Sequence, residues 1–208
     1  DAAQYLLSGS NNGNLIGRAT DRFNKSTLVN QSYTGASLRR QAHTFVEDFL
    51  RAIGRKGLDP TKKIAFKVDT GAHGEIYIAD FDGHNAQAIT HDNAIVAAPA
   101  WVAGRLALCY TSYRLGNPDI FLHDLSTGQR SGVARYAGSN ISPAPSPDGT
   151  KVAMILSKSG SVDLWVANLD GSNPKQLTKS REDESSPCWS PDSRWICFAT
   201  KIKERRSL

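Results

Sequence analysis

Cysteine is scarce in this sequence, with Cys109, Cys188 and Cys197 the three among 208 residues. A small, odd number excludes a disulfide framework as the basis of the fold. No CxxC pair and no cluster of His and Cys has the spacing of a zinc site. A hairpin turning at Asp192 would set residue 188 opposite 196. Cys188 and Cys197 are then expected on opposite faces of the sheet, which disfavours a bridge between them. Cys109 and Cys197 lie 88 residues apart and are expected as small, buried apolar side chains. Long apolar runs are also lacking, since no stretch approaches the ~18 residues that span a bilayer. Asp1–Tyr5 has neither the basic nor the apolar region of a signal peptide. That leaves a cytosolic protein or the mature form of an exported one.

Catalytic signatures are missing as well. There is no GxSxG, no HExxH and no phosphate-binding loop, so neither an enzyme nor a cofactor is expected. His84 and His91 would need a third ligand such as Asp82 or Asp92 to hold a metal, and no metal site is expected of them. His43 falls on a helix, covering a sheet edge or facing solvent. The net charge of +5 is unevenly divided. Residues 1–60 hold eight Lys/Arg against five acids, residues 61–200 hold thirteen against fourteen, and Lys201–Leu208 holds four against one. Nucleic-acid recognition needs basic residues concentrated on one surface. Here the largest segment is nearly neutral, so a nucleic-acid partner is not expected.

What the sequence does have is a repeat of 44 residues. Pro99-Ala-Trp101 returns as Pro143-Ala-Pro145 and as Pro187-Cys-Trp189. Glu75-Ile-Tyr77, Asp119-Ile-Phe121 and Asp163-Leu-Trp165 fall on the same ruler, as do Asp80, Asp124 and Asn168. A period in the forties, filled by short strands and turn residues, marks the blades of a β-propeller. Tyr77, Phe121 and Trp165 are expected in one slot, packed between neighbouring sheets. The recurrent acids Asp80, Asp124 and Asp163 are spread around the array by the same repetition. They cannot converge on one substrate, and turn or strand-end hydrogen bonding is their expected role.

Ahead of the repeats, residues 4–9, 14–20 and 27–33 read as three short strands joined by tight turns. Ser37 is placed to cap a helix over 38–53. Leu38, Ala42, Phe45, Phe49 and Ile53 form its apolar stripe, widened by Val46 and Leu50. Gly54, Gly57 and Pro60 end it. Residues 1–57 are thus expected as a small α/β (α+β) domain, 54–61 as a hinge, 62–200 as a partial propeller and 201–208 as a charged tail.

Within the repeat best defined, strands are expected over 141–146 (innermost), 151–156, 163–169 and 175–178. The Pro147-Asp-Gly-Thr150 and Asp170-Gly171 turns connect them. Strands of the first blade fall near 63–68, 75–81 and 87–90, with nothing for its innermost position. The fourth blade supplies 186–190 and 195–200. The second and third blades are complete with four strands each, and the resulting thirteen strands do not close a ring, so a truncated or incomplete chain is expected.

With these segments placed, the chain resembles the TolB family, the periplasmic component of the Tol–Pal system. The residues that carry the likeness are LRRQAHTFVEDFL, EIYIADFDGHNAQAIT, YTSYRLGNPDIFLHDLSTG, SPAPSPDGTKVAMILSKSGSVDLWVANLDG and SPCWSPDSRWICFAT. The order of helix, DFDGHN, SYRLGNPDI and SKSGSVDLW is the specific part. Departures are Val102-Ala-Gly104, where the family has an SPDG turn, and Ser186-Pro187, where a Glu-Pro pair is common. The resemblance implies an incomplete all-β, WD40-like propeller of about three blades out of six. It also implies a periplasmic scaffold that maintains the outer membrane and supports cell division.

By the same resemblance, a Pal-like lipoprotein would bind the propeller, and inner-membrane Tol partners would bind the N-terminal side. Direct membrane insertion is not expected. The loops entering the innermost strands, Ala137–Ser142 and Glu182–Ser186 with Asp92–Ile95 beside them, are the expected rim. Ser139, Asn140, Glu182, Asp183, Glu184 and Ser186 are its candidate contacts, with the three acids making it locally acidic. An alternative reading is the propeller of a prolyl-oligopeptidase-like peptidase with its catalytic domain beyond residue 208. A glycan-binding propeller would need an aromatic pocket in each blade, whereas the repeated aromatics fall at packing positions.

Overall fold

The structure is a computed structural model that describes residues 3–35, 37–55, 62–180 and 182–201. The expected hinge beyond Arg55 and the charged tail after Lys201 lie outside the described residues. The chain divides into two compact units. The first runs to Lys63 and includes Asp80–His84; the second is Ile64–Ala79 with Asn85 onward.

In the first unit, β1 (Tyr5–Asn11), β2 (Leu15–Asp21) and β3 (Thr27–Tyr33) form an antiparallel meander. One helix, α1 (Leu38–Ala52), follows, and Ser37 Oγ accepts from Arg40 N as its cap. Phe45 and Phe49 pack on Ala19, Val29 and Tyr33. A Cβ on Gly17 would stand 2.6 Å from the Phe45 ring, so the absent side chain lets α1 approach the sheet. Leu38 and Val46, expected in the stripe, are exposed at 45% and 43%. Gln41 is buried instead, its Oε1 accepting from Leu15 N at 2.6 Å.

The second unit is a series of twisted antiparallel sheets. The first has β4 (Lys63–Asp69), β5 (Gly74–Asp80) and β6 (Gln87–Ala88). The second has β7 (Val96–Trp101), β8 (Ala107–Ser112), β9 (Asp119–Asp124) and β10 (Arg130–Ala134). The third has β11 (Asn140–Pro145), β12 (Lys151–Leu156), β13 (Asp163–Asn168) and β14 (Lys175–Gln176). The last pairs β15 (Glu184–Trp189) with β16 (Ile196–Thr200). This is an open, incomplete propeller, and β11 packs against both β7 and β15 along the inner side.

Alternation of side chains along each strand gives the second and third sheets of this unit two apolar faces, one for each neighbour. Cys109, Ile120 and Leu122 of the second blade meet Met154, Leu156 and Trp165 of the third. The other face of the third, with Ala153, Ile155 and Leu164, meets Trp189, Ile196 and Phe198. Phe121 and Trp165 are 5% and 8% exposed. Tyr77 holds the equivalent register position, opposite Ala88 as Phe121 is opposite Gly132 and Trp165 opposite Gln176. It is only half-buried and stacks on Phe66, since no sheet covers its face among the described residues.

Two expectations about cysteine are corrected. The loop of the last hairpin spans four residues, Pro191–Arg194, closed by Ser190 N donating to Trp195 O at 2.9 Å. Cys188 therefore lies directly opposite Cys197, on the same face, rather than 188 opposite 196. Cys197 is exposed, unlike Cys109, because burial of that slot comes from the next sheet and not from its own.

Each inner strand carries a bulge that the sequence does not announce. Pairing shifts between Ala97 and Ala100, Ile141 and Ala144, and Ser185 and Cys188. Ala98, Ser142 and Ser186 sit there with φ of 51°, 54° and 53°, a left-handed conformation that few non-glycine residues adopt.

Candidate protein-binding rim

Antiparallel pairing brings the starts of β7, β11 and β15 to one end of the blades. The β8–β9 and β12–β13 connections lie at that same end. The candidate contacts fall there, but they divide into two groups. Asn140 and Glu184 are strand residues, not loop residues, and both are buried. Asn140 N donates to Pro118 O, and its Nδ2 donates to the carbonyls of Pro118 and Tyr136 at 3.0 and 2.8 Å. One period later, Glu184 N donates to Val162 O at 3.1 Å. The Glu184 carboxylate accepts from Leu164 N at 2.8 Å and from the Thr178 hydroxyl. These two residues stitch each inner strand to the preceding blade, and a partner cannot reach them.

The other four are reachable to different degrees. Asp183 and Ser186 are exposed; Ser139 and Glu182 are half-buried. Ser139 N donates to Ser157 Oγ at 2.7 Å, which fixes its loop. Ser186 is the left-handed residue of the β15 bulge. With Glu184 withdrawn, the acidic character reduces to Glu182 and Asp183. Arg114, Arg135, Lys158 and Lys179 are exposed in the connecting segments at the same end, so the rim is mixed in sign rather than acidic. Lys158 Nζ lies 3.7 Å above the Tyr136 ring, which holds one of these cations in place.

Apolar side chains complete the surface. Ile95, Tyr113 and Leu115 are 50%, 36% and 51% exposed. Tyr113 N donates to Ile95 O at 2.9 Å, so the two loops that carry them are joined. The SYRLGN segment carries Tyr113 and Leu115; these candidate contacts do not stand out in the 44-residue repeat, because blade periodicity marks packing positions and not loops.

Beneath the rim lies a polar cluster between the first two blades. The Asp92 side chain is 1% exposed, and its Oδ1 accepts from Arg130 Nη1 at 2.6 Å. Arg130 also donates to the Tyr110 hydroxyl at 3.0 Å, and Ser112 Oγ donates to Asp92 at 2.7 Å. Burial pushes Tyr110 up to about 12. His123, next to this cluster, is held below its ordinary value by burial and then by the Arg130 charge, against the opposing pull of Asp92 and Asp124. Asp124 itself is lowered by the Ser126 hydroxyl and backbone N–H and by Thr127 N, the turn role expected of it. Among the described residues, no group of three or more His, Cys, Asp or Glu could hold a metal ion. No helix of the described residues is long and apolar enough to cross a membrane.

Residues 50–205 match the family model described as the TolB beta propeller domain. The chain is similar to the Tol-Pal system protein TolB of Anaeromyxobacter dehalogenans strain 2CP-1, with 31% identity over 156 residues, and to that of strain 2CP-C, with 32%. Each match covers 74% of this chain and 36% of the relative, so the chain spans about a third of their length. Among solved structures, TolB from Acinetobacter baumannii superimposes with a TM-score of 0.83 at 23% identity, over 95% of this chain and 52% of that one. The putative TolB from Agrobacterium tumefaciens gives 0.60 at 20% identity, over 95% and 66%. These two similarities establish the fold.

Proposed function

From the premise that this chain belongs to the TolB β-propeller family, whose compartment is the periplasm, we propose that it is a non-catalytic scaffold module. In this reading it binds a Pal-like outer-membrane lipoprotein through the rim and Tol-type inner-membrane partners through its N-terminal side. The assembly would maintain the outer membrane and support cell division. The observation that carries the proposal is the exposed apolar set Ile95, Tyr113 and Leu115, which shares one end of the blades with exposed charges of both signs. Exposed apolar side chains amid polar ones suit a protein partner: the apolar groups supply affinity and the charges supply orientation and encounter rate. Rigid blades beneath them lower the entropy lost on binding.

The test is a calorimetric titration of the full-length protein with a soluble Pal-like domain. Leu115→Asp should weaken binding about tenfold or more, in the range of an interface hot spot. Glu182→Ala combined with Asp183→Ala should weaken it less, and that effect should shrink at high salt. Unchanged affinity for Leu115→Asp would overturn the assignment of the rim.

A further inference from the structure

We propose that Cys188 and Cys197 form a cross-strand disulfide within the last blade. The two residues are direct partners in the β15–β16 register, and both are exposed. Directly opposed residues of an antiparallel pair project to the same face, with Cα atoms about 4.5 or 5.5 Å apart depending on the kind of pair. Either spacing lies inside the roughly 4.4–6.8 Å that a disulfide spans.

The repeat supplies the comparison. The same register position is Ala100 opposite Cys109 in the second blade and Ala144 opposite Ala153 in the third. Small side chains occupy this slot throughout, and only in the last blade are both members thiols. Cys109 has no thiol opposite it and is fully buried, and burial raises its thiol to about 12. It is the internal control, a cysteine of the same fold that cannot close a bridge.

The oxidant required is a disulfide, either a small-molecule one or that of an oxidoreductase. The thiolate of one cysteine attacks a sulfur of RSSR, breaking that bond and releasing RSH after protonation. The second thiolate then attacks the mixed disulfide, forms the Cys188–Cys197 bond and releases the second RSH. Two thiols lose two electrons and two protons, and one RSSR becomes two RSH. Such oxidants prevail in the periplasm, and on this point alone the inference rests on the proposed function. The bond would pin the register of a hairpin that is two-stranded among the described residues, a form with little stability of its own.

The experiment treats the purified chain with oxidised glutathione, unfolds it in guanidinium chloride to alkylate the remaining thiols with iodoacetamide, and digests it with trypsin after dilution. Cleavage after Arg181, Arg194 and Lys201 places Cys188 and Cys197 on separate peptides. The expected result is one linked species, two hydrogens lighter than the sum of peptides 182–194 and 195–201, with Cys109 alone alkylated. Cys188→Ser and Cys197→Ser should each leave a glutathione adduct on the remaining partner, and Cys109→Ser should leave the link intact. Separate alkylated or separately glutathionylated peptides at every oxidant concentration would overturn the proposal. A parallel sample acid-quenched from cells reports on the compartment: a bond that closes with glutathione but is absent in cells contradicts the periplasmic assignment and not the pairing.

Discussion

The indole N–H of Trp189 donates to the carbonyl of Ala144 at 2.7 Å, joining the inner strand of the last blade to that of the third. Trp101, two periods earlier, has a buried Nε1 with no hydrogen-bond partner among the described residues. The same side chain at the same repeat position is thus satisfied only where the preceding blade has an inner strand.

Trp189→Phe should lower stability by about 1 kcal/mol, the net worth of a typical hydrogen bond, by leaving the Ala144 carbonyl without its donor. Trp101→Phe should be near neutral, because its indole N–H has no such acceptor among the described residues. Chemical denaturation of both variants checks the contrast. Equal losses would mean that ring packing, not the hydrogen bond, sets the difference.

Glu184→Ala should destabilise by about 1–3 kcal/mol, because Thr178 and Leu164 N lose a buried acceptor. Glu184→Gln keeps an acceptor and should cost less. The pairing of these two variants in a thermal melt separates the stitching role from a contact role, which would show in binding and not in the melt.

Much of the architecture was legible in the sequence because the blades repeat. The 44-residue ruler located the thirteen strands of the second unit among the described residues and the shared slot of Tyr77, Phe121 and Trp165. Ser37 and the Phe45/Phe49 pair located the helix. What the sequence hid was set by tertiary context. Asn140 and Glu184 read as polar loop residues, yet hydrogen bonds from the preceding blade draw them inside. The bulges at Ala98, Ser142 and Ser186 have no glycine to announce them. The register of Cys188 and Cys197 turned on one residue of loop length, which flips a side chain to the other face.

His123 gives the fold a pH dependence. Its folded pKa is depressed from 6.5 by burial and the Arg130 charge, so the unfolded chain takes up the proton first. Its contribution to stability is fully present above about 6.5 and is lost as pH falls from there through the folded pKa. His123→Leu should flatten this part of the curve. Denaturation midpoints measured from pH 8 to pH 5 check it; an unchanged slope in the variant would remove His123 as the cause.

Gly171→Ala tests the packing of adjacent blades. Its φ is +85°, and a Cβ there would lie 2.0 Å from the carbonyl oxygen of Val133 in the second blade. Gly160, with φ of +94° and nothing within 4 Å of a Cβ, isolates the backbone strain alone. That strain is about 1–2 kcal/mol. Gly171→Ala should lower the melting temperature clearly further than Gly160→Ala, and equal shifts would mean that the blades do not approach this closely.

The proposed rim places a partner protein at the end of the blades where the inner strands begin. The direct measurement compares calorimetric titrations of a Pal-like domain into full-length Leu115→Asp and Leu106→Asp. Leu106 is 51% exposed, as is Leu115, but lies in the turn between β7 and β8 at the opposite end. Leu115→Asp should lose about tenfold or more in affinity, and Leu106→Asp should keep wild-type affinity. Loss at Leu106 with full binding at Leu115 would contradict this placement.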